Sequence, residues 1–248
     1  MKKKKTKTHH PIRNVVLACL ALITATGFIL GGIFLLWAGN LSIPTIEAIE
    51  AQRRAQSTKI YDRTGEVLLY DMHQDVQRTV VNLDEISDYV KHATIAIEDD
   101  GFYSHIGIEP LAILRAVVRN LQAGDLLGGQ GGSTLTQQVI KNTLLTQEKT
   151  VTRKLKEWIL AIKLEQVISK DEILELYLNE APYGGTKYGV EEAAQGFFGK
   201  PASELTVAES AYLAALPQAP TYYSPYGNNR DALEDRKNTV LVRMQEQG

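Results

Sequence analysis

Cysteine is almost missing from this 248-residue chain: the single one, Cys19, stands inside a stretch that carries no charge at all. No disulfide can join two points of the chain, so whatever folds beyond that stretch must be held by its core. Histidine is present five times, at His9, His10, His73, His92 and His105. None falls in a His-Glu-x-x-His or comparable spacing, which argues against a zinc site. No Gly-Lys-Ser/Thr follows the glycine-rich stretch at the spacing of a nucleotide-binding P-loop. There is also no internal repeat and no alternation of strand and helix that would build a parallel sheet.

Positive charge is scarce everywhere except at the start. Lys2, Lys3, Lys4, Lys5, Lys7 and Arg13 crowd the first 14 residues, and without them 21 Lys and Arg face 29 Asp and Glu, a formal charge of −8. An acidic domain excludes nucleic acid as the natural partner, because phosphate contacts need clustered cations. The segment Val15 to Ala38 holds 24 uncharged, mostly apolar residues, enough to cross a hydrocarbon core with some tilt. It is too long for the apolar region of a cleavable signal peptide, and no small-x-small site follows it. Too few apolar residues precede Cys19 for a lipoprotein signal. Residues 1–14 therefore read as a cytoplasmic basic tail, 15–38 as a single-pass transmembrane signal anchor and 39–56 as a juxtamembrane linker. Everything after the anchor is expected outside the membrane.

The next run, Lys59 to Tyr70, reads as a β-hairpin with Asp62-Arg63-Thr64-Gly65 at its turn. Beyond it the pattern is helical. Asn82 and Glu85 make a capping-box start for a helix carrying Leu83, Ile86, Val90, Ala93 and Ile97 on one face. Pro110 suits the first turn of a second helix, with Leu111, Leu114, Val117, Val118 and Leu121 apolar. Five glycines between Gly124 and Gly132 predict a loop. Helices follow over 153–168, from the Ser169/Glu172 capping box through Leu178, over 189–198, and from the Thr206/Glu209 capping box to Pro217. The fold class is mainly α with a small β element.

Four polar blocks are poor core material, since burying such groups costs desolvation. The first is Glu98-Asp99-Asp100 with Phe102, Tyr103 and His105. Adjacent carboxylates repel, and shielding by Phe102 would add to this, giving Glu98 the character of a base suited to near-neutral pH. By spacing alone Glu98 reads equally well as a solvated residue at a helix end. The second block runs from Gly132 through Ser133, Thr134, Gln137 and Lys141 to Asn142. It reads either as a capped helix start or as an anion cradle of hydroxyls and N–H groups. The third, Lys149, Arg153, Lys154 and Glu157, puts cations where a helix dipole disfavours them unless an anion is near. The fourth, Lys170 to Asn179, is core by periodicity, with polar members placed to support a site.

These blocks, in this order and behind one anchor, resemble the peptidoglycan glycosyltransferase domain of class A penicillin-binding proteins and monofunctional transglycosylases. Glu98, Asp99, Phe102, His105 and Gly107 match an E-D-x-x-F-x-x-H-x-G motif, and Gly131 to Gln138 match G-x-S-T-x-T-Q-Q. Arg153, Lys154 and Glu157 match R-K-x-x-E, and Ile173 to Asn179 match I-L-E-x-Y-L-N. The similarity covers roughly residues 57–227. Residues 228–248 then read as the start of a helical connection to a missing transpeptidase-like domain, of which no Ser-x-x-Lys, Ser-x-Asn or Lys-Thr-Gly motif is present.

The resemblance implies a lysozyme-like, bilobal fold with a membrane-facing jaw, in a bacterial cell membrane. It implies lipid II and the growing glycan strand as substrates, joined by β-1,4 linkage with release of undecaprenyl pyrophosphate, and cell-wall synthesis proteins as partners. Glu98 would be the general base. Lys141, Lys149, Arg153 and a divalent metal (Mg or Mn) would meet the pyrophosphate, with Glu157 orienting the donor or holding the metal, and no organic cofactor. Asp99, Phe102, His105, Ser133, Thr134, Gln137, Asn142, Lys154 and Asn179 would bind sugar and phosphate. The chain departs from the family pattern at Lys149, where most members have Arg, at Gly101, and at Glu109 in place of a more usual Asp. A lysozyme-like hydrolase or lytic transglycosylase is the competing enzyme reading. It has no need of cations for a pyrophosphate. A non-enzymatic wall scaffold is a third, disfavoured by the intact Glu98 and Glu157.

Overall fold

The computed structural model describes residues 11–43, 58–64, 68–72, 78–123, 132–145 and 150–248. They fall into two compact units, 1–42 and 43–248. The first is a single helix, α1 (Pro11–Gly39). Within it, Cys19–Gly39 has a mean hydropathy of 2.3 and no burial against protein, and Leu22, Phe28 and Leu36 are exposed. Among the described residues this is the one helix long and apolar enough to cross a membrane.

The second unit is mainly helical, as the periodicity requires. It opens with the hairpin β1 (Thr58–Tyr61) and β2 (Leu68–Met72), antiparallel with Lys59 opposite Asp71. In its turn the Thr64 N–H and hydroxyl donate to the Asp62 carboxylate; Gly65 lies outside the described residues. Helices α2 (Asp88–Glu98), α3 (Pro110–Ala123), α4 (Leu135–Thr143), α5 (Val151–Leu164) and α6 (Lys170–Glu180) follow. After a short hairpin, β3 (Pro182–Gly184) and β4 (Lys187–Tyr188), come α7 (Val190–Phe198), α8 (Val207–Ala215) and α9 (Arg230–Gln247).

One expected helix is broken in two. Asn82 and Glu85 do form their capping box, but it caps only a 3₁₀ turn, Leu83–Glu85. The chain then leaves helical geometry because Ser87 is claimed by tertiary bonds: its N–H donates to the Ala202 carbonyl and its hydroxyl to that of Leu205. Ser87 becomes the N-cap of α2. The capping boxes at Ser169/Glu172 and Thr206/Glu209 are present as read.

Two groups of helices carry the core. In one, α2, α8 and α9 pack mutually; in the other, α4 packs on both α5 and α6. Segment 228–248, read as a connection to a further domain, forms α9 and buries Leu233 and Val240 in the first group. The groups are joined where α2 ends. There the loop after Glu98 runs against α5 so closely that Gly107, at φ +91°, would place an added Cβ 2.6 Å from the Ala161 carbonyl oxygen. Only glycine tolerates both that backbone region and that approach. Gly107→Ala is expected to cost about 3 kcal/mol of stability. This would be read as a lowered urea midpoint of the full chain in detergent; an unchanged midpoint would mean that the loop does not need this contact.

Candidate active site

An open cleft of about 690 Å³ lies at the junction of the two helix groups. Glu98, the last residue of α2, lines it together with Asp100, Glu109, Arg115, Ser133, Thr134, Gln138 and Lys141. The far wall comes from Pro217 and Gln218 after α8 and from Arg236, Thr239 and Arg243 of α9. The Glu98 side chain is 11% exposed, shielded yet open to a ligand in the cleft. Its Oε2 accepts a bond from Gln138 Nε2 at 2.8 Å, and its Oε1 lies 3.4 Å from Arg236 Nη2.

Asp99 points the other way. Its two oxygens lie 3.0 and 2.9 Å from His105 Nε2, and Oδ2 also accepts from the Leu135 N–H at 2.8 Å. The repulsion expected between the neighbouring carboxylates is thus offset, since each has its own donors. The shielding role expected of Phe102 is also revised. Its fully buried ring packs edge-on against Tyr103 and His105, with the Lys170 ammonium 4.7 Å from its centroid.

The start of α4 is likewise not an open anion cradle. The Leu135 N–H is taken by Asp99, and the Gln137 N–H donates to Thr134 Oγ1, whose hydroxyl in turn donates to the Gly107 carbonyl at 2.7 Å. What faces the cleft is the Ser133 and Thr134 pair and, two turns along, Lys141. Burial holds the Lys141 ammonium below the usual lysine range. Glu157 and Glu98 oppose that shift, while Lys154 and Arg153 add to it. A half-buried cation with like charges beside it is energised to accept an anion.

Lys154 ties the second and third polar blocks together. Its ammonium donates to Ser133 Oγ at 2.8 Å, to Gln137 Oε1 at 3.3 Å and to the Glu157 carboxylate. Glu157 is buried at 1% exposure and does not line the cleft. A buried carboxylate already held by an ammonium does not fit the metal-ligand role expected of it. Among the described residues no group of three or more His, Cys, Asp or Glu side chains could hold a metal ion. Arg153 is half-buried, its Nε without a hydrogen-bond partner among the described residues. Asn142 is half-buried near the end of α4, and Lys149 lies outside the described residues.

Substrate contact was also expected of Phe102, His105, Gln137 and Asn179; Phe102, Gln137 and Asn179 are buried and His105 is half-buried. All four sit behind the cleft rather than in its lining. Asn179 acts like a strand partner: its Oδ1 accepts from the Val81 N–H, and its Nδ2 donates to the Val81 carbonyl. Gln137, fully buried, donates to the Gly107 carbonyl. The residues missed were Gln138 and Arg236, the two that hold Glu98. Arg236 carried one readable signal: it shares a helix face with Leu233 and Val240, and a cation on a buried stripe needs a partner.

The sequence matches the transglycosylase family over residues 65–245. It is 43% identical over 228 residues to penicillin-binding protein 1A of Aquifex aeolicus, covering 89% of this chain and 31% of the relative. Against penicillin-binding protein 1A/1B of Bacillus subtilis the identity is 48% over 193 residues, with 77% and 21% covered. Against penicillin-binding protein 1F of the same organism it is 41% over 248 residues, with 99% and 32% covered. A crystal structure of penicillin-binding protein 1A from Haemophilus influenzae aligns with 76% of this chain and 18% of its own, at 26% identity and a TM-score of 0.41. The chain thus spans about a third or less of the length of these curated relatives. Because the family match runs through every residue of the cleft wall and into α9, this chain belongs to the transglycosylase family and carries its glycosyl-transferring domain.

Proposed function

We propose that this chain is a peptidoglycan glycosyltransferase, the N-terminal part of a bifunctional penicillin-binding protein, which polymerises lipid II into β-1,4 glycan strands. The carrying observation is a shielded carboxylate, Glu98, held by Gln138 and Arg236 in a cleft that also presents the half-buried ammonium of Lys141. Glu98 takes the proton from the acceptor 4-hydroxyl as that oxygen attacks the donor sugar carbon. The bond from that carbon to the lipid pyrophosphate breaks on the opposite face, so the centre inverts. The departing oxygen carries the developing negative charge, and fixed cations lower the barrier by meeting it there. Lys141 serves this role from within the cleft, joined by Lys149 and Arg153. Ser133, Thr134 and Asn142 position sugar and phosphate, while Asp99, His105, Lys154 and Glu157 hold the walls.

With the basic tail in the cytoplasm, α1 would anchor the domain on the outer side of the membrane, where lipid II and other wall-synthesis proteins meet it. The test is to incubate the full chain in detergent with lipid II and, separately, with finished peptidoglycan. Glycan polymer from the first and no cleavage of the second is expected. Shortened strands without polymer would establish the hydrolase or lytic reading instead.

A further inference from the structure

Resting on that reading, we propose that Lys170 and Glu165, which touch no part of the cleft, are positioning residues for Glu98 and act through His105, Asp99 and Thr136. Lys170 Nζ is 2.7 Å from Glu165 Oε1 and 3.3 Å from His105 Nδ1. His105 Nδ1 also accepts from the Gly107 N–H at 3.1 Å. With donors on that side, the ring proton sits on Nε2 and points at the Asp99 carboxylate. Glu165 Oε1 accepts from Thr136 Oγ1 at 2.6 Å. One ion pair therefore reaches the Glu98 site by two routes. Through His105 it fixes Asp99, the C-cap of α2 and the residue next to Glu98. Through Thr136 it fixes the first turn of α4, which also carries Gln138.

The Asp99 bond to the Leu135 N–H closes the ring, so the Gln138 bond to Glu98 is set from two sides. The side chains of Asp99, His105 and Glu165 are only 2%, 7% and 7% exposed, and that of Lys170 is 20%. In so dry a setting no water replaces a lost donor, and the network holds only if every member is satisfied. Without the Lys170 donor, only the Gly107 N–H still opposes a proton on Nδ1, where Glu165 lies 3.8 Å away, and the hold on the Nε2–H form weakens. Asp99 would then lose a partner and the end of α2 would loosen. Misplacement of a catalytic group by a fraction of an ångström affects the chemical step more than ground-state binding.

The test is Lys170→Met, which keeps the side-chain length over the Phe102 ring but removes the ammonium, studied in the full chain in detergent. The expected result is kcat for lipid II lowered roughly 10- to 100-fold, KM within about twofold, and the nitrogen shifts of His105 moved from the Nε2–H form toward a mixture. Glu165→Gln, which retains a hydrogen-bonding oxygen, is expected to give a smaller loss of kcat in the same direction and serves if Lys170→Met does not fold. An unchanged kcat, a loss confined to KM, or a reduced kcat with His105 still fully in the Nε2–H form would each overturn the proposal. Wild-type polymerisation is the control: its absence would overturn the functional reading, whereas the His105 spectra judge this network independently.

Discussion

Glu98→Gln is expected to lower lipid II polymerisation by about 1,000-fold, the scale of losing a positioned general base, with KM changed by less than about threefold. The amide is nearly isosteric and keeps an oxygen for the Gln138 donor, so the cleft should stay folded and able to bind. What it cannot do is accept the proton of the acceptor hydroxyl. Arg236 makes the comparison sharper. Its guanidinium, 3.4 Å from Oε1, holds the carboxylate oxygen that Gln138 leaves free and so fixes the side chain in place. Initial rates with a labelled lipid II preparation decide it: a variant within about tenfold of wild type would remove Glu98 from the role of base.

Much of the scaffold could be read from the sequence because it is specified locally. Capping boxes at Ser169 and Thr206, Pro110 at a helix start and the 3.6-residue recurrence of Val90, Ala93 and Ile97 act over a few residues. The chain obeyed them. The helix expected at Asn82 failed for a non-local reason, since Ser87 spends its N–H and hydroxyl on carbonyls more than a hundred residues away. The site shows the same division. Residue types in the polar blocks made Glu98, Ser133 and Lys141 candidates, the family resemblance gave them roles, and all three line the cleft. Residue types could not say which way each side chain points.

His105, Gln137 and Asn179 are equally polar and lie in the same blocks of sequence motifs, yet their hydrogen-bonding capacity is used within the protein, on the Asp99 carboxylate and on the Gly107 and Val81 carbonyls. Lys154 and Glu157 look like ligands for an anion and a metal. Three residues apart on a helix, they are also placed to pair with each other, and they do. Arg236 was the hardest to find, because its bond to Glu98 spans 138 positions.

Lys141→Met carries the second large effect. Removing a cation aimed at the developing pyrophosphate charge is expected to lower kcat by about 100-fold. The pH dependence gives the assignment its own signature. Burial lowers the Lys141 pKa, so the ammonium loses its proton at a lower pH than an ordinary lysine. The charged form is the one that holds the donor. Wild-type kcat/KM should therefore fall as pH rises through that lowered pKa, and this alkaline limb should vanish in Lys141→Met. A bound pyrophosphate favours the protonated form, so the limb in kcat should lie at higher pH than the limb in kcat/KM.

Stability should move the opposite way from activity. A lysine whose folded pKa is depressed costs folding free energy wherever it is charged. That cost is fully present below the folded pKa and fades as pH rises toward the unfolded value. At neutral pH the methionine variant is therefore expected to melt at a higher temperature than wild type while polymerising poorly, as happens when a site holds an unfavourable charge for use on substrate. A variant that is both slower and less stable, with its alkaline limb intact, would mean that Lys141 supports the wall of the cleft and does not meet the leaving group.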